Sequence, residues 1–239
     1  MHMKRYIQAS MVGVIVLGIL GFLIFREKHP LCSDEITSIT YTAIVTAVAL
    51  EAEPFKTLIS IKETCASGGI TYTVGSLEGK NILMFLSGVG PDEAEKVVRH
   101  TLSTFTIDML LFSGIAGGVD TSLLSGDTVV AREWLNVATG ERVATDANLI
   151  KKTEQFEDIH MVALGATVQK FVSDPTTLPD SVSVVDMETA TIALLAREFG
   201  VPFLAFRSVS DLADDGGTDT TFRSAAESSA VATIRFILD

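Results

Sequence analysis

Cysteine is scarce in this chain, and so is everything that builds a metal or nucleic-acid site. Only two of the 239 residues are cysteines, Cys32 and Cys65. Two are too few for a disulfide framework, and their spacing matches no zinc motif. The four histidines, His2, His29, His100 and His160, are scattered and form no ligand cluster, so no metal and no cofactor is expected. Positive charge is thin as well. Lys and Arg total 18 against 30 Asp and Glu, a formal net charge of −12. Phosphate backbones are bound by clustered cations, which excludes a nucleic-acid partner. No repeat and no low-complexity segment stands out.

What is there is apolar material, 47% of the residues, enough for a large core. One part of it is set apart. Ile7 to Phe25 is a run of 19 residues without a charge, flanked by Lys4 and Arg5 before it and Arg26 and Lys28 after it. A bilayer core needs about 20 such residues in a helix. The run is longer than the apolar core of a cleaved signal peptide and lacks a small-residue cleavage site. Residues 1–29 are therefore read as a single-pass membrane anchor, with cations balanced on its two sides and its orientation undecided. Residues 30–40 read as a polar tether, and 41–239 as one folded domain.

The domain alternates strands and helices. "TAIVTAVAL" (Thr42–Leu50) is a β-branched run of the kind that forms a strand buried on both faces. "GITYTVGSLEGKNILMFLSG" reads as a hairpin around Glu78 and Gly79. "PDEAEKVVRHTLSTF" opens with Pro and two acids and carries an apolar stripe, a helix. "IDMLLFSG" is a strand closed by the glycine-rich "GIAGG", and "GDTVVAREWLN", "MVALGAT", "SVSVVDM" and "VPFLAFRSVSD" are further strands. "ETATIALLAREFG" is a helix ending at Gly200, and "TFRSAAESSAVATIRFIL" closes the chain. From Ala138 to His160 the pattern is weak. The fold class that follows is α/β, a mixed and largely parallel twisted central sheet flanked by helices, preceded by one N-terminal transmembrane helix.

Acidic residues recur where strands end: Glu51 and Glu53, Glu188, and Asp211. Ligands of open parallel sheets bind outside the carboxyl ends of the strands. Each acid alone can be a helix-start charge facing water, which is the assignment for Asp186. Arg207 is different, because a cation inside "FLAFRSVSD" needs a buried partner; Glu188 and Glu53 are the candidates.

"AVALEAEP", "SGVGP", "FSGIAGGVDTSLLSGDTVVA" and "VVDMETATIALLAREFGVPFLAFRSVSDLAD" resemble, in order, the motifs of the purine nucleoside phosphorylase/nucleosidase superfamily. The pattern is most similar to 5′-methylthioadenosine/S-adenosylhomocysteine nucleosidases. The resemblance implies a nucleoside phosphorylase-like fold, a homodimer, a small-molecule nucleoside as partner, and hydrolysis of an N-glycosidic bond with release of adenine. It places the water-activating glutamate on Glu53, the purine-protonating acid on Asp211 and an arginine near the attacking water on Arg207. Met187 and Glu188 then hold the ribose, Phe171 packs on the base, and Val172, Gly117, Ile115 and Ser210 complete the substrate contacts. Ile115 stands where such enzymes often carry a hydroxyl, and the segment from Asp127 to Glu188 is short for the family. No arginine lies between Lys56 and Arg99, which favours water over phosphate as nucleophile. Two other assignments stay open: a phosphorylase or hydrolase of a different, lipid-linked nucleoside, and a non-catalytic nucleoside-binding protein.

Overall fold

The computed structural model describes residues 29–172, 174–212 and 218–239, so the apolar run Ile7–Phe25 lies outside the described residues. Among the described residues no helix is long and apolar enough to cross a membrane. Leu31–Asp239 form one compact unit.

The first strand, β1 (Thr40–Thr46), is buried at every position after its first, as its β-branched run predicts. It stops at Thr46, and the chain turns through two single-turn helices, α2 (Ala49–Ala52) and α3 (Phe55–Leu58). β2 (Ser60–Ser67), β3 (Ile70–Leu77) and β4 (Lys80–Leu86) make an antiparallel meander whose β3–β4 turn is Glu78–Gly79. α4 (Pro91–Thr104) follows, then β5 (Thr106–Gly118), β6 (Thr128–Asn136), β7 (Arg142–Ala144), α5 (Ala147–Thr153), β8 (Ile159–Thr167) and β9 (Val182–Asp186). α6 (Thr189–Phe199) ends at Gly200, whose φ of 70° is the left-handed conformation that a helix stop favours. β10 (Phe203–Leu212) and α7 (Asp219–Leu238) complete the fold.

The strands form one sheet in the order β10-β6-β8-β9-β5-β1-β4-β3-β2, with β7 beside β6. Because β10 also pairs with β5, the strands β5, β10, β6, β8 and β9 close into a ring. Among the described residues five of the ten pairings are parallel and they are the longer ones on the whole, so the sheet is mixed. The closure depends on β5, which continues as strand through Gly114, Gly117 and Gly118 instead of turning there. Its last two residues pair with Val185 and Val184 of β9 while still pairing with β10. A glycine-rich strand lets neighbours approach closely on both sides. The weak stretch after Ala138 holds β7 and α5.

The supposed tether is part of the folded unit. α1 (Asp34–Ser38) is capped by Ser33 and buries Ile36, and Leu31 forms a parallel bridge to Ala66 of β2. Cys32 and Cys65 are joined by a disulfide. Two cysteines build no framework, yet they do build one cross-link, and counting alone does not reveal it. Closing a loop over a sequence separation of 33 stabilises the fold through the entropy it removes from the unfolded chain. Replacing both cysteines by serine, or adding reductant, is expected to lower unfolding free energy by about 3 kcal/mol, measured by urea titration.

Candidate active site

A cavity of about 250 Å³ opens where the carboxyl ends of β1, β8, β9 and β10 and the second half of β5 come together. Its wall is mostly apolar: Val48 after β1, Val89 before α4, Val168, Phe171 and Val172 after β8, and Phe222 of α7. Its floor is charged. Glu51, Asp186, Glu188, Arg207 and Asp211 all line it.

Arg207, 1% exposed, organises this floor. Its Nη2 lies 2.8 Å from Asp186 Oδ2 and 3.5 Å from Glu188 Oε2, and its guanidinium carbon sits 3.9 Å from the centre of the Phe112 ring. Two carboxylates and an aromatic face therefore offset the cost of burying the cation. Its Nε and Nη1 find no hydrogen-bond partner among the described residues, and neither does Asp211 Oδ2. Buried polar atoms are normally paired. Unpaired ones at a cavity floor are suited to a bound molecule. The other oxygen of Asp211 accepts from the Ser210 hydroxyl.

Glu51 is 3% exposed and is held by main-chain donors alone. Oε1 accepts from Ile115 N–H at 2.9 Å, and Oε2 from Ala47 N–H at 2.7 Å and Val48 N–H at 3.2 Å. A Cβ added at Gly114 would collide with both Glu51 Oε1 and Arg207 Nη1. The missing side chain is what lets the acid and the guanidinium reach one spot.

Glu188 is buried at the entry to α6, where Oε1 accepts from Gly90 N–H at 2.7 Å. Burial, followed by the neighbouring charge of Asp186, pushes its pKa up to about 7, with Glu51 adding to the rise. Arg207 and the Gly90 N–H oppose that rise without cancelling it. Near neutrality both protonation states of Glu188 are populated.

Nine of the ten expected site residues line the cavity: Arg207, Asp211 and Ser210 on β10, Met187 and Glu188 after β9, Ile115 and Gly117 on β5, Phe171 and Val172 after β8. Glu53 does not. Its side chain is 62% exposed and pairs with Lys56 at 2.6 Å. Glu51 and Glu53 lie two residues apart across a helical turn, which sends them in nearly opposite directions. Of the two candidate partners of Arg207, Glu188 pairs with it at 3.5 Å and Glu53 does not; Asp186, closer at 2.8 Å, is a second partner that was not expected. Asp186 is buried rather than a surface helix-start charge. Among the described residues no group of three or more His, Cys, Asp or Glu could hold a metal ion.

The chain matches the family model described as "Phosphorylase superfamily" over residues 41–238. It belongs to the phosphorylase superfamily. Within that superfamily it is 30% identical to a 5′-methylthioadenosine/S-adenosylhomocysteine nucleosidase of Anoxybacillus flavithermus, over 72% of this chain and 85% of the relative. The nucleosidase of the same name from Listeria innocua is 28% identical over 81% of this chain and 97% of the relative. The crystal structure of the Neisseria meningitidis nucleosidase, solved in complex with methylthio-immucillin-A, superposes with a TM-score of 0.75 at 26% identity. That superposition covers 83% of this chain and 98% of the other. This phosphorylase-superfamily member is an N-glycosidase, a hydrolase. The signal for Glu51 was present in the sequence of this superfamily member. A glutamate three residues after a helix-entry position reaches back to the entry N–H groups, and Glu51 does so to Val48.

Proposed function

We propose that this protein hydrolyses the N-glycosidic bond of 5′-thio-substituted adenosines, releasing adenine. The observation that carries this reading is the convergence of Glu51, Glu188, Arg207 and Asp211 in one cavity. Glu51, not Glu53, is assigned as the base. Its three main-chain donors fix the direction of its carboxylate, so it can take a proton as water oxygen bonds to the anomeric carbon. The bond from that carbon to the purine breaks, and its electrons pass into the ring. Asp211 supplies a proton to the departing base. Arg207 Nη1 and Nε are free to hold the incoming water. Glu188 accepts from ribose hydroxyls, and positive charge growing on the sugar draws it to its ionised form.

Water is the nucleophile that suits the charge count. Four carboxyl groups and one guanidinium line the cavity, and that guanidinium is already paired. Phosphate would meet repulsion without a matched cation. Adenine is expected to be released from methylthioadenosine in phosphate-free buffer by protein lacking residues 1–28, followed as loss of nucleoside by chromatography. Release only on adding phosphate would instead identify a phosphorylase.

The protein is proposed to be held at a membrane by residues 7–25 as a homodimer. What favours a dimer is the exposed apolar rim of the cavity, Val89 and Phe171. The Cys32–Cys65 disulfide favours an oxidising compartment for the domain, because cytosolic thiols are kept reduced.

A further inference from the structure

Asp186 has no role in the hydrolysis described above, yet five donors converge on its carboxylate. Oδ1 accepts from the Thr167 hydroxyl at 2.7 Å, Thr189 N–H at 3.2 Å and Glu188 N–H at 3.3 Å. Oδ2 accepts from the Thr189 hydroxyl and from Arg207 Nη2 at 2.8 Å. The same Nη2 stands 3.5 Å from Glu188. One donor thus faces two acids and is closer to the one that cannot move, since Asp186 is pinned by β8, β9 and the first turn of α6.

We propose that Asp186 is a positioning residue: it takes Arg207 as a permanent partner, which aims the guanidinium and leaves the Glu188 carboxylate to the substrate. This inference rests on the nucleosidase reading and deepens it. Were Asp186 neutral, Nη2 would turn to Glu188 and tie it up as an ordinary salt bridge. The charged groups facing Glu188 are Asp186 from β9, Arg207 from β10 and Glu51 from α2, with the Gly90 N–H from the start of α4. Removing the Asp186 charge takes away a repulsion and strengthens an attraction. Both changes favour ionised Glu188 and lower its pKa from about 7.

The test is Asp186→Asn. Asparagine keeps one oxygen to accept from Thr167 and the helix-entry N–H groups, while its amide nitrogen accepts from neither Arg207 Nη2 nor the Thr189 hydroxyl, so the charge and the hold on Arg207 are removed together. Adenine-release kcat/KM is expected to fall about 10²-fold through misplacement of Arg207. Its acid limb should move down by at least about one pH unit. A second readout does not need activity. In the wild type the folded Glu188 value of about 7 exceeds the ordinary 4.5, so the folded chain keeps a proton that the unfolded chain loses. Stability therefore declines as pH rises from 4.5 to 7 and levels off above, and in Asp186→Asn the decline of Tm over that range should shrink. If the wild type releases no adenine, the nucleosidase reading fails while the Tm comparison still decides the role of Asp186. An unmoved acid limb together with an unchanged Tm slope overturns the proposal. Should Asp186→Asn not fold, Asp186→Ser, another uncharged helix-entry residue, carries the same comparison. Failure of both to fold also overturns it, by making the ion pair a requirement of folding.

Discussion

Glu51→Gln is expected to lower kcat/KM for adenine release by about 10²–10⁴-fold, the usual contribution of one proton-transfer group. Glu53→Gln should leave the rate at the wild-type level. The pair of variants separates two acids that differ by only two positions in "EAEP". Glu51 is buried against the cavity on three N–H donors, whereas Glu53 faces solvent beside Lys56. Glutamine is nearly the shape of glutamate, but one end of it can no longer accept. One of the main-chain N–H groups is then left unpaired, at a cost of about 1–3 kcal/mol. Tm measured beside the kinetics shows whether the lost rate exceeds what partial unfolding explains. Loss of activity in Glu53→Gln with retention in Glu51→Gln would return the base to Glu53.

Arg207→Leu is expected to abolish turnover and to destabilise the fold by about 3–5 kcal/mol, the usual result of stripping one member from a buried ion pair. Leucine fills much of the volume beside Phe112, so the lost stability is chiefly electrostatic. Asp186 and Glu188 would be left facing each other at 2% and 5% side-chain exposure. The deficit also depends on pH. Arg207 is one of two influences that hold the Glu188 value down, so without it that value rises above about 7. At pH 5 Glu188 is neutral with or without its partner, and only Asp186 loses a counter-charge. At pH 8 the mutant must bury a second charge or keep a proton against the solvent. Urea titration should therefore show a larger loss at pH 8 than at pH 5. Equal losses at both pH values would mean that Arg207 and Glu188 do not sense each other.

The strands and long helices were legible because each carries its own period. β1, β10 and α4 lie within a few residues of where their apolar runs place them. β2 was not, for a physical reason. Its first four residues are exposed, so "SIKETCAS" shows no buried stripe, and the strand exists through pairing with β3. The ring closure was hidden in the same way, since glycines that usually signal a turn are used by β5 to admit neighbours on both sides. Nine of the ten expected residues share one cavity because their motif positions lie at neighbouring strand ends. The resemblance placed the base on Glu53, the last acid of "EAEP"; which of the two acids turns inward is set by the phase of a single helical turn, which four residues of apolar pattern do not reveal. Asp186 was misplaced because its partner, Arg207, lies on another strand, and nothing in local sequence connects them.

The attachment of Glu51 to amide groups rather than to side chains bears on how this cavity can diversify. Ile115 brings no hydroxyl to the cavity, yet it still contributes, because what Glu51 uses there is the peptide N–H. Any residue but proline brings that group with it. The aim of the carboxylate is thus insulated from drift in the lining, and the apolar walls can be remodelled for new guests while the reactive centre stays put.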